Sequence, residues 1–580
     1  MTALRFGQFS GEVPKLIARL LPDSGAQQAE NVRLDDGGLT PIRKSRQEHV
    51  FTGMTDIQTV TKFGDTWLAW DTVVNAVPGP VAEDRLYYTG DGAPKMRVGT
   101  TVYDLAVPYP STALTAAVTG IGTGDVTTRL YVYTWVTSFG EESEPCPISN
   151  EVNWQAGQTL TLSGFASTPT GRGITKQRIY RSQSSNQSGT DLFFIAERNA
   201  STSNFVDTYA PDQFGEVLPS RDWNAPPDDL QGLIALPNGM MAAFRGKELC
   251  FCEPYRPHAW PEKYRLTSAF EIVGLGAYGT TVVAGTKGYP YVASGNAPEA
   301  MIEEKIEVNL PCINGRGLVD LGYSVAYPSS DGLVVVSNGG ATVATDNLFT
   351  RPLWQRLSPS TIVSAQFTGR YFTSYWYLDT DGVTVNEGTL AIDLTGQQPF
   401  VLRYPFKADA FYYDLPTGQL YYVMGNTLYE FDALGQQNEI ITWKSKRVVL
   451  PAPASMGAIL VESGTLESPE QKQARLDAIA AIEAYNAGLL ASDSMGSEID
   501  GAAIDTFSMN GDPLKPLPAP PFVSVKVYAD GALVRTVSTM DKVQRIAGNR
   551  RARIWEIQVN GTAQIEQITM AATVRELNEV

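Results

Sequence analysis

LQGLIALPNGMMAAFRGKELCFCEP, residues 230–254, holds an apolar strand, a turn, a second apolar strand, another turn and a third strand. The same grammar returns in AYGTTVVAGTKGYPYVASG (277–295), YSVAYPSSDGLVVVSNGGATVAT (323–345), IVSAQFTGRYFTSYWYLDTDGVTVNEGTLAIDL (362–394) and AFYYDLPTGQLYYVMGNTLYEFD (410–432). The units recur every roughly 40–50 residues, the length of a β-propeller blade. They share a pattern of strand and turn, and no common word. Upstream, IQTVTKFGDTWLAW (57–70) and RLYYTGDGAPKMRVGTTVYDL (85–105) carry the Gly64-Asp65 and Asp91-Gly92 signals of hairpins. Residues 46–110 therefore read as the first part of the propeller and 219–435 as the remainder, about six blades with seven as the alternative.

Between them the texture changes. Residues 111–218 contain TALTAAVTGIG, RLYVYTWVTSFGEESEPCPIS, QTLTLSGF, KQRIYRSQS and LFFIAERNASTSNFVDT, strands at nearly even spacing. The alternation in Arg129-Leu130-Tyr131-Val132-Tyr133-Thr134-Trp135 suits a sheet with one buried face. A stretch of about 100 residues with such strands fits an inserted β-sandwich of the fibronectin type III or immunoglobulin kind. It lacks a Cys–Trp–Cys framework, so the fibronectin-like form is expected.

The flanking regions differ again. Residues 1–45 form an N-terminal segment in which Ser24 is expected to cap a short helix over residues 26–32. Residues 436–580 read as a C-terminal β-domain with a helical and Pro-rich insertion at 466–521. There Ser468 as cap, Pro469 at the first position and Gly488 near the end predict a helix over 467–491. Leu476, Ile479, Ala480 and Glu483 share one face of it, a short stripe that predicts an exposed helix. The fold class expected is thus all-β: a β-propeller with an inserted sandwich and a C-terminal β-domain. At 580 residues the chain is too long for one core.

Composition narrows the function. A net charge of −17 argues against a basic nucleic-acid-binding surface, yet suits a wall that DNA passes without adsorbing, because affinity for a polyanion comes from Lys and Arg. Cys146, Cys250, Cys252 and Cys312 are few and irregularly spaced, and buried free thiols are expected. No signal-peptide core opens the chain and no run of about 18 apolar residues occurs, so neither classical export nor a transmembrane helix is expected.

Candidate chemistry is thin. His49 and His258 are the only histidines, little material for a nucleophilic triad or a zinc hydrolase, and His258 reads as structural. Gly274-Leu275-Gly276-Ala277-Tyr278-Gly279 spells a dinucleotide-binding turn, but a strand follows where the motif needs a helix. Asp379-Thr380-Asp381-Gly382 resembles the start of a calcium loop whose twelfth position, Leu390, cannot ligate. Ser329-Ser330-Asp331-Gly332 lacks the rest of a sialidase box and reads as a turn. Arg545, Arg550, Arg551 and Arg553 form the densest basic cluster, read as an exposed face for interface salt bridges. No catalytic, cofactor-binding or metal residue is expected, no cofactor, and no enzymatic activity.

Several passages resemble the tail nozzle family of short-tailed bacteriophages, the tail tubular protein B family. In the opening segment the likeness rests on Gly11, Pro14, Leu21-Pro22, Ala26, Ala29, Asn31, Gly38-Leu39 and Pro41. Further on it rests on YVYTWVTSFGEESEPCPIS, RIYRS and FVDT in the sandwich, and on LPNGMMAAFRGKELCFCEPYRPHAWPEKY, KGYPYVASGNAPEAM and SSDGLVVVSNGGATVATDNLFTRPLWQRLSP. WKSKRVVL and TMAATVREL complete it near the end. The resemblance implies a homo-hexameric ring below the portal and adaptor proteins, with tail fibres or spikes at its sides. It also implies genomic DNA passing through the lumen without sequence-specific binding, no stable membrane insertion, and a place in the virion tail after assembly in the host bacterial cytoplasm. The alternative reading is a glycan-binding or depolymerising tail protein with a propeller fold.

Overall fold

A computed structural model describes residues 3–184, 190–379, 384–396, 398–464, 469–491, 515, 517, 521–546 and 550–577. Among them are 46 strands and three α-helices. The chain is all-β, as its aromatic and β-branched alternation requires. In Val523–Ala529, for instance, Val523, Val525, Val527 and Ala529 face the core while Ser524, Lys526 and Tyr528 are half-buried.

The body is propeller-like, built from antiparallel sheets in chain succession. Asn75–Pro78 to Thr101–Asp104, Gln231–Ala235 to Leu266–Thr267, Ile272–Tyr278 to Ile302–Lys305 and Val319–Asp320 to Gly340–Val343 are each four-stranded. Val363–Phe367 to Phe400–Tyr404 supplies four more strands at one end of a larger sheet. Ala410–Asp414, Gln419–Met424 and Thr427–Glu430 are completed by Arg46–Val50 from the start of the chain. Thr59–Phe63 and Thr66–Trp70 make a two-stranded sheet. The first strand of one sheet packs beside the first strand of the next, from Asn75–Pro78 through the later sheets to Ala410–Asp414, which meets Thr59–Phe63. The expected first part, 46–110, is thus divided: residues 46–50 belong with the last sheet, and 59–70 and 75–104 form two more.

The inserted segment is a sandwich. Thr115–Thr119, Thr159–Ser163 and Phe205–Asp207 form one sheet, Tyr131–Thr137, Ile174–Ser184 and Thr190–Asn199 the other, with Thr123–Arg129 paired to Val152–Ala156. Leu160, Leu162, Tyr131, Tyr133, Ile179 and Tyr180 are fully buried in its core.

The N-terminal segment corrects one expectation. Residues 26–30 are the strand Ala26–Glu30, and no helix is capped by Ser24, whose carbonyl instead accepts from Ser10 N at 2.8 Å. AQQAE has good helix propensity, but its strand joins the body to the terminal domain, parallel to Phe400–Tyr404 on one side and antiparallel to Ile441–Ser445 on the other. Ala26 and Ala29 are buried in the core there. Tertiary pairing overrides a weak local preference. Because of this strand the sheet of Val363–Phe367 to Phe400–Tyr404 continues into the terminal domain as one ten-stranded sheet. Ala3–Phe6 pairs Ile565–Ala571 in the second sheet of that domain, and Trp443 and Trp555 fill the space between. Trp443 packs edge-on to Phe9 at 5.0 Å and donates Nε1–H to Ser10 O at 3.0 Å.

The long helix Pro469–Ala491 starts at Pro469 as expected. Ser468, its expected cap, lies outside the described residues.

Gly11 shows how tightly the seam is closed. A Cβ there would stand 2.5 Å from both Phe400 Cδ2 and Val401 O. Gly11→Ala is therefore expected to lower stability by about 1–3 kcal/mol through overpacking against backbone, measured as the shift in a urea unfolding curve. An unchanged curve would mean that the seam gives way freely.

Candidate functional site

The densest buried polar chemistry lies where the sandwich meets the body. Tyr131–Thr137 ends in a turn closed by Gly140, whose φ of 78° suits the left-handed region. The turn points both following carboxylates inward, and Glu141 and Glu142 are buried. Glu142 Oε1 accepts from Thr134 Oγ1 at 2.7 Å and Tyr180 OH at 2.6 Å, and its Oε2 accepts from Arg178 Nη1 at 2.8 Å. Glu141 Oε2 pairs with buried Arg172 Nη2 at 2.7 Å and accepts from Thr137 Oγ1 at 3.0 Å.

The body closes on this turn from the other side. His258 Nε2 stands 3.1 Å from Glu142 O, and Asn224 Nδ2 donates to Glu144 Oε1 at 2.8 Å. Phe139 sits between Tyr103, ring to ring at 5.4 Å, and the Arg85 guanidinium at 5.0 Å. Burial pulls His258 down to about 4, with Arg172 and Arg256 adding to it, so the ring is neutral near pH 7. With a carbonyl opposite Nε2, the proton sits on Nε2 and the ring donates. Burial, then the charge of Glu142, pushes the Tyr180 hydroxyl well above its ordinary range. These groups clamp two domains together. A nucleophile paired with a base is not among them.

A second network locks the sandwich internally. Asp207 Oδ2 accepts from Arg181 Nη1 at 2.7 Å, Tyr131 OH at 2.6 Å and Arg129 Nη1 at 3.3 Å. The two cations are covered by rings, Arg129 over Trp154 at 3.6 Å and Arg181 over Phe214 at 4.2 Å. Paired and ring-covered charge is how such groups are tolerated inside.

The residues singled out from sequence are scattered. His49 is exposed on Arg46–Val50, and His258 is the junction residue just described. All four cysteines are buried and unbridged, and burial raises the Cys146 thiol to about 11 and those of Cys250, Cys252 and Cys312 to about 12. The glycines at 274–279 lie on the hairpin Ile272–Tyr278 to Thr281–Thr286, where a Cβ on Gly276 would meet Val325 Cγ1 at 2.8 Å. Gly274 and Gly276 serve close packing of adjacent sheets, whereas Gly279, at a φ of 58° with open space around it, makes the turn. Asp379 Oδ1 accepts from Arg356 Nη2 at 2.5 Å, whereas Thr380, Asp381 and Gly382 lie outside the described residues. Residues 329–332 make a turn closed by Ser329 N donating to Gly332 O at 2.9 Å. Among the described residues no group of three or more His, Cys, Asp or Glu is placed to hold a metal, and no helix is long and apolar enough to cross a membrane.

The basic quartet separates. Arg545 lies on Gln544–Arg545, in the sheet of Ala3–Phe6, while Arg550, Arg551 and Arg553 are exposed at the start of Ala552–Gly561. Arg553 lines a cleft of about 460 Å³ with Ile17, Ala18, Arg19, Arg447, Val449, Asp530 and Ile554. Arg19 and Arg447 were not singled out, because more than 400 positions separate them in the chain.

An all-β, propeller-like body with an inserted sandwich is the class this architecture defines. No family model matches the chain, and no curated protein matches it. Among solved structures, a gluconolactonase from Xanthomonas campestris is similar at 11% identity with a TM-score of 0.21, over 71% of this chain and 99% of that one. PorZ, a surface component of the type-IX secretion system of Porphyromonas gingivalis, is similar at 10% identity with a TM-score of 0.22, over 68% of this chain and 44% of its own.

Two outcomes follow for the junction. Arg172→Met leaves Glu141 buried beside no paired cation and is expected to cost about 3–5 kcal/mol in chemical denaturation. His258 has a folded pKa below its ordinary value of 6.5. The unfolded chain therefore binds the extra proton first, and this stabilisation, complete above pH 6.5, is lost as pH falls towards 4. His258→Gln should flatten that part of the stability–pH curve, on the order of 3 kcal/mol over the range. An unchanged slope would assign it to other groups.

Proposed function

We propose that the chain is a non-enzymatic structural subunit of a bacteriophage tail, a nozzle that rings the DNA exit channel with copies of itself and anchors fibres or spikes. The observation that carries this reading is where the resemblance falls in the opening segment. Gly11 has no room for a Cβ, Ala26 and Ala29 are buried, Asn31 holds a φ of 57°, and buried Leu39 exchanges backbone hydrogen bonds with Ile565. The likeness to the tail nozzle family thus rests on residues that fix how body and terminal domain join. It concerns architecture rather than surface composition.

Two further features support the reading. The net charge of −17 suits a lumen that repels phosphates and lets DNA slide. The buried carboxylates Glu12, Glu141, Glu142 and Asp207 are each committed to an Arg partner, which leaves them unsuited to acid–base work on a sugar. In the virion tail such a subunit would meet portal or adaptor proteins above and fibres at its sides.

One feature favours a glycan-contacting role instead. The hairpin Arg370–Leu378 to Val385–Asp393 exposes Trp376, Leu378 and Val385, and an exposed indole is a surface on which sugars stack.

Negative-stain imaging of the purified protein, with its mass in solution, separates the readings. A six-fold ring with a central hole is expected, and incubation with host polysaccharide should release nothing. A monomer that liberates oligosaccharide would replace the nozzle reading with the depolymerase one.

A further inference from the structure

The long helix Pro469–Ala491 is apolar on more sides than it covers. Ile479, Ile482 and Leu489 lie on a half-buried stripe with Arg475 and Asn486. Asn486 exchanges two hydrogen bonds with the backbone of Lys515, whose Nζ stands 3.9 Å over the Tyr485 ring. The adjoining stripe, Leu476, Asp477, Ala480, Glu483, Ala484 and Ala487, is exposed. That stripe sets two carboxylates, Asp477 and Glu483, among one leucine and three alanines. A 23-residue helix, about 34 Å long, draws most of its stability from packing rather than from propensity. The open stripe therefore wants a partner that is apolar and, opposite Asp477 and Glu483, cationic.

The cleft at the seam has that chemistry. Its apolar lining is Ile17, Ala18, Val449 and Ile554, with Ile17 56% and Val449 48% exposed and Leu20 beside them 60% exposed. Its charged lining is Arg19, Arg447 and Arg553 with the carboxylate of Asp530, and Arg447 Nε is already paired with Glu556 Oε1 at 3.0 Å, so Arg19 and Arg553 are the cations offered to a partner. Asp530 Oδ1 already accepts from the backbone N–H of Arg553 and Ile554. Such a cationic, apolar cleft on a chain of net charge −17 stands out as the complement of an acidic, apolar partner.

We propose that the cleft receives the exposed stripe of Pro469–Ala491 from a second copy of this chain, in the manner of a helix laid in a groove. Leu476, Ala480 and Ala484 meet the aliphatic lining, and Asp477 and Glu483 meet Arg19 and Arg553. The proposal rests on the ring reading only in taking the partner to be a second copy. It names the surface through which copies join.

Charge exchange in the full chain tests it. Arg19→Glu with Arg553→Glu forms one variant, Asp477→Lys with Glu483→Lys the other, and Arg19→Glu alone serves if the first double variant melts below wild type. Each variant, folded as wild type by circular dichroism, should associate at least tenfold more weakly in light-scattering mass measurements. An equimolar mixture of the two should regain the wild-type mass, since every cleft then finds a helix of opposite charge. Association of the separate variants at wild-type strength overturns the inference and leaves the ring reading standing. So does a mixture that stays dissociated. A monomeric wild type overturns both.

Discussion

Glu12 stands where a strand partner would. Ala26–Glu30 has only one registered pair with Phe400–Tyr404, and the Ala29 N–H is taken at 3.0 Å by Glu12 Oε1. Glu12 Oε2 accepts from Arg403 Nε at 2.7 Å, and the backbones of Glu12 and Val401 exchange two hydrogen bonds. A buried carboxylate thus completes the sheet at the point where two domains merge. Burial raises its pKa despite Arg403, so the site is held at a cost in desolvation, and removing either partner would strand the other. Beside it Asn31 N donates to Arg403 O at 3.0 Å, and one hydrophobic core runs beneath both parts of the ten-stranded sheet.

The sandwich is fastened by the same physical device. Its turn at Glu141 and Glu142 is buried against Arg172, Arg178 and Tyr180 from within and His258 from the body. A domain inserted on a flexible tether would present none of these contacts. Held by buried ion pairs and hydrogen bonds, with aromatic cover from Phe139, it is fixed against the body, the property a scaffold needs in order to place a fibre or a neighbour. The nozzle proposal gains its coherence from such joints: rigid seams, an acidic chain, and carboxylates engaged in structure.

What was legible in the sequence was local. Hairpins are set by turns a few residues long, such as Asp530-Gly531 in the terminal domain, whose φ values of 48° and 80° are those of a type I′ turn. The long helix was legible through Pro469 and its alanines. What escaped was whatever depends on distant partners. AQQAE at 26–30 reads as helix because nothing local tells of Phe400–Tyr404 and Ile441–Ser445 on either side. Arg46–Val50 was placed with the first blade because proximity in sequence favours it, yet it pairs with Thr427–Glu430. Glu141 and Glu142 follow a glycine and carry no local sign of burial; their partners Arg172, Arg178 and Tyr180 lie 31 to 38 positions away. The seam cleft needs Arg19, Arg447 and Arg553 together, and no pattern search joins them.

The scaffold account depends on body and terminal domain unfolding as one unit through the N-terminal strand. Hydrogen–deuterium exchange followed at residues 26–30, 400–404 and 441–445 tests this directly. The account predicts that the three segments exchange together and slowly, with the Ala29 amide among the protected ones. Early exchange at 26–30 while 400–404 and 441–445 stay protected would contradict it, showing a strap laid over two independent domains.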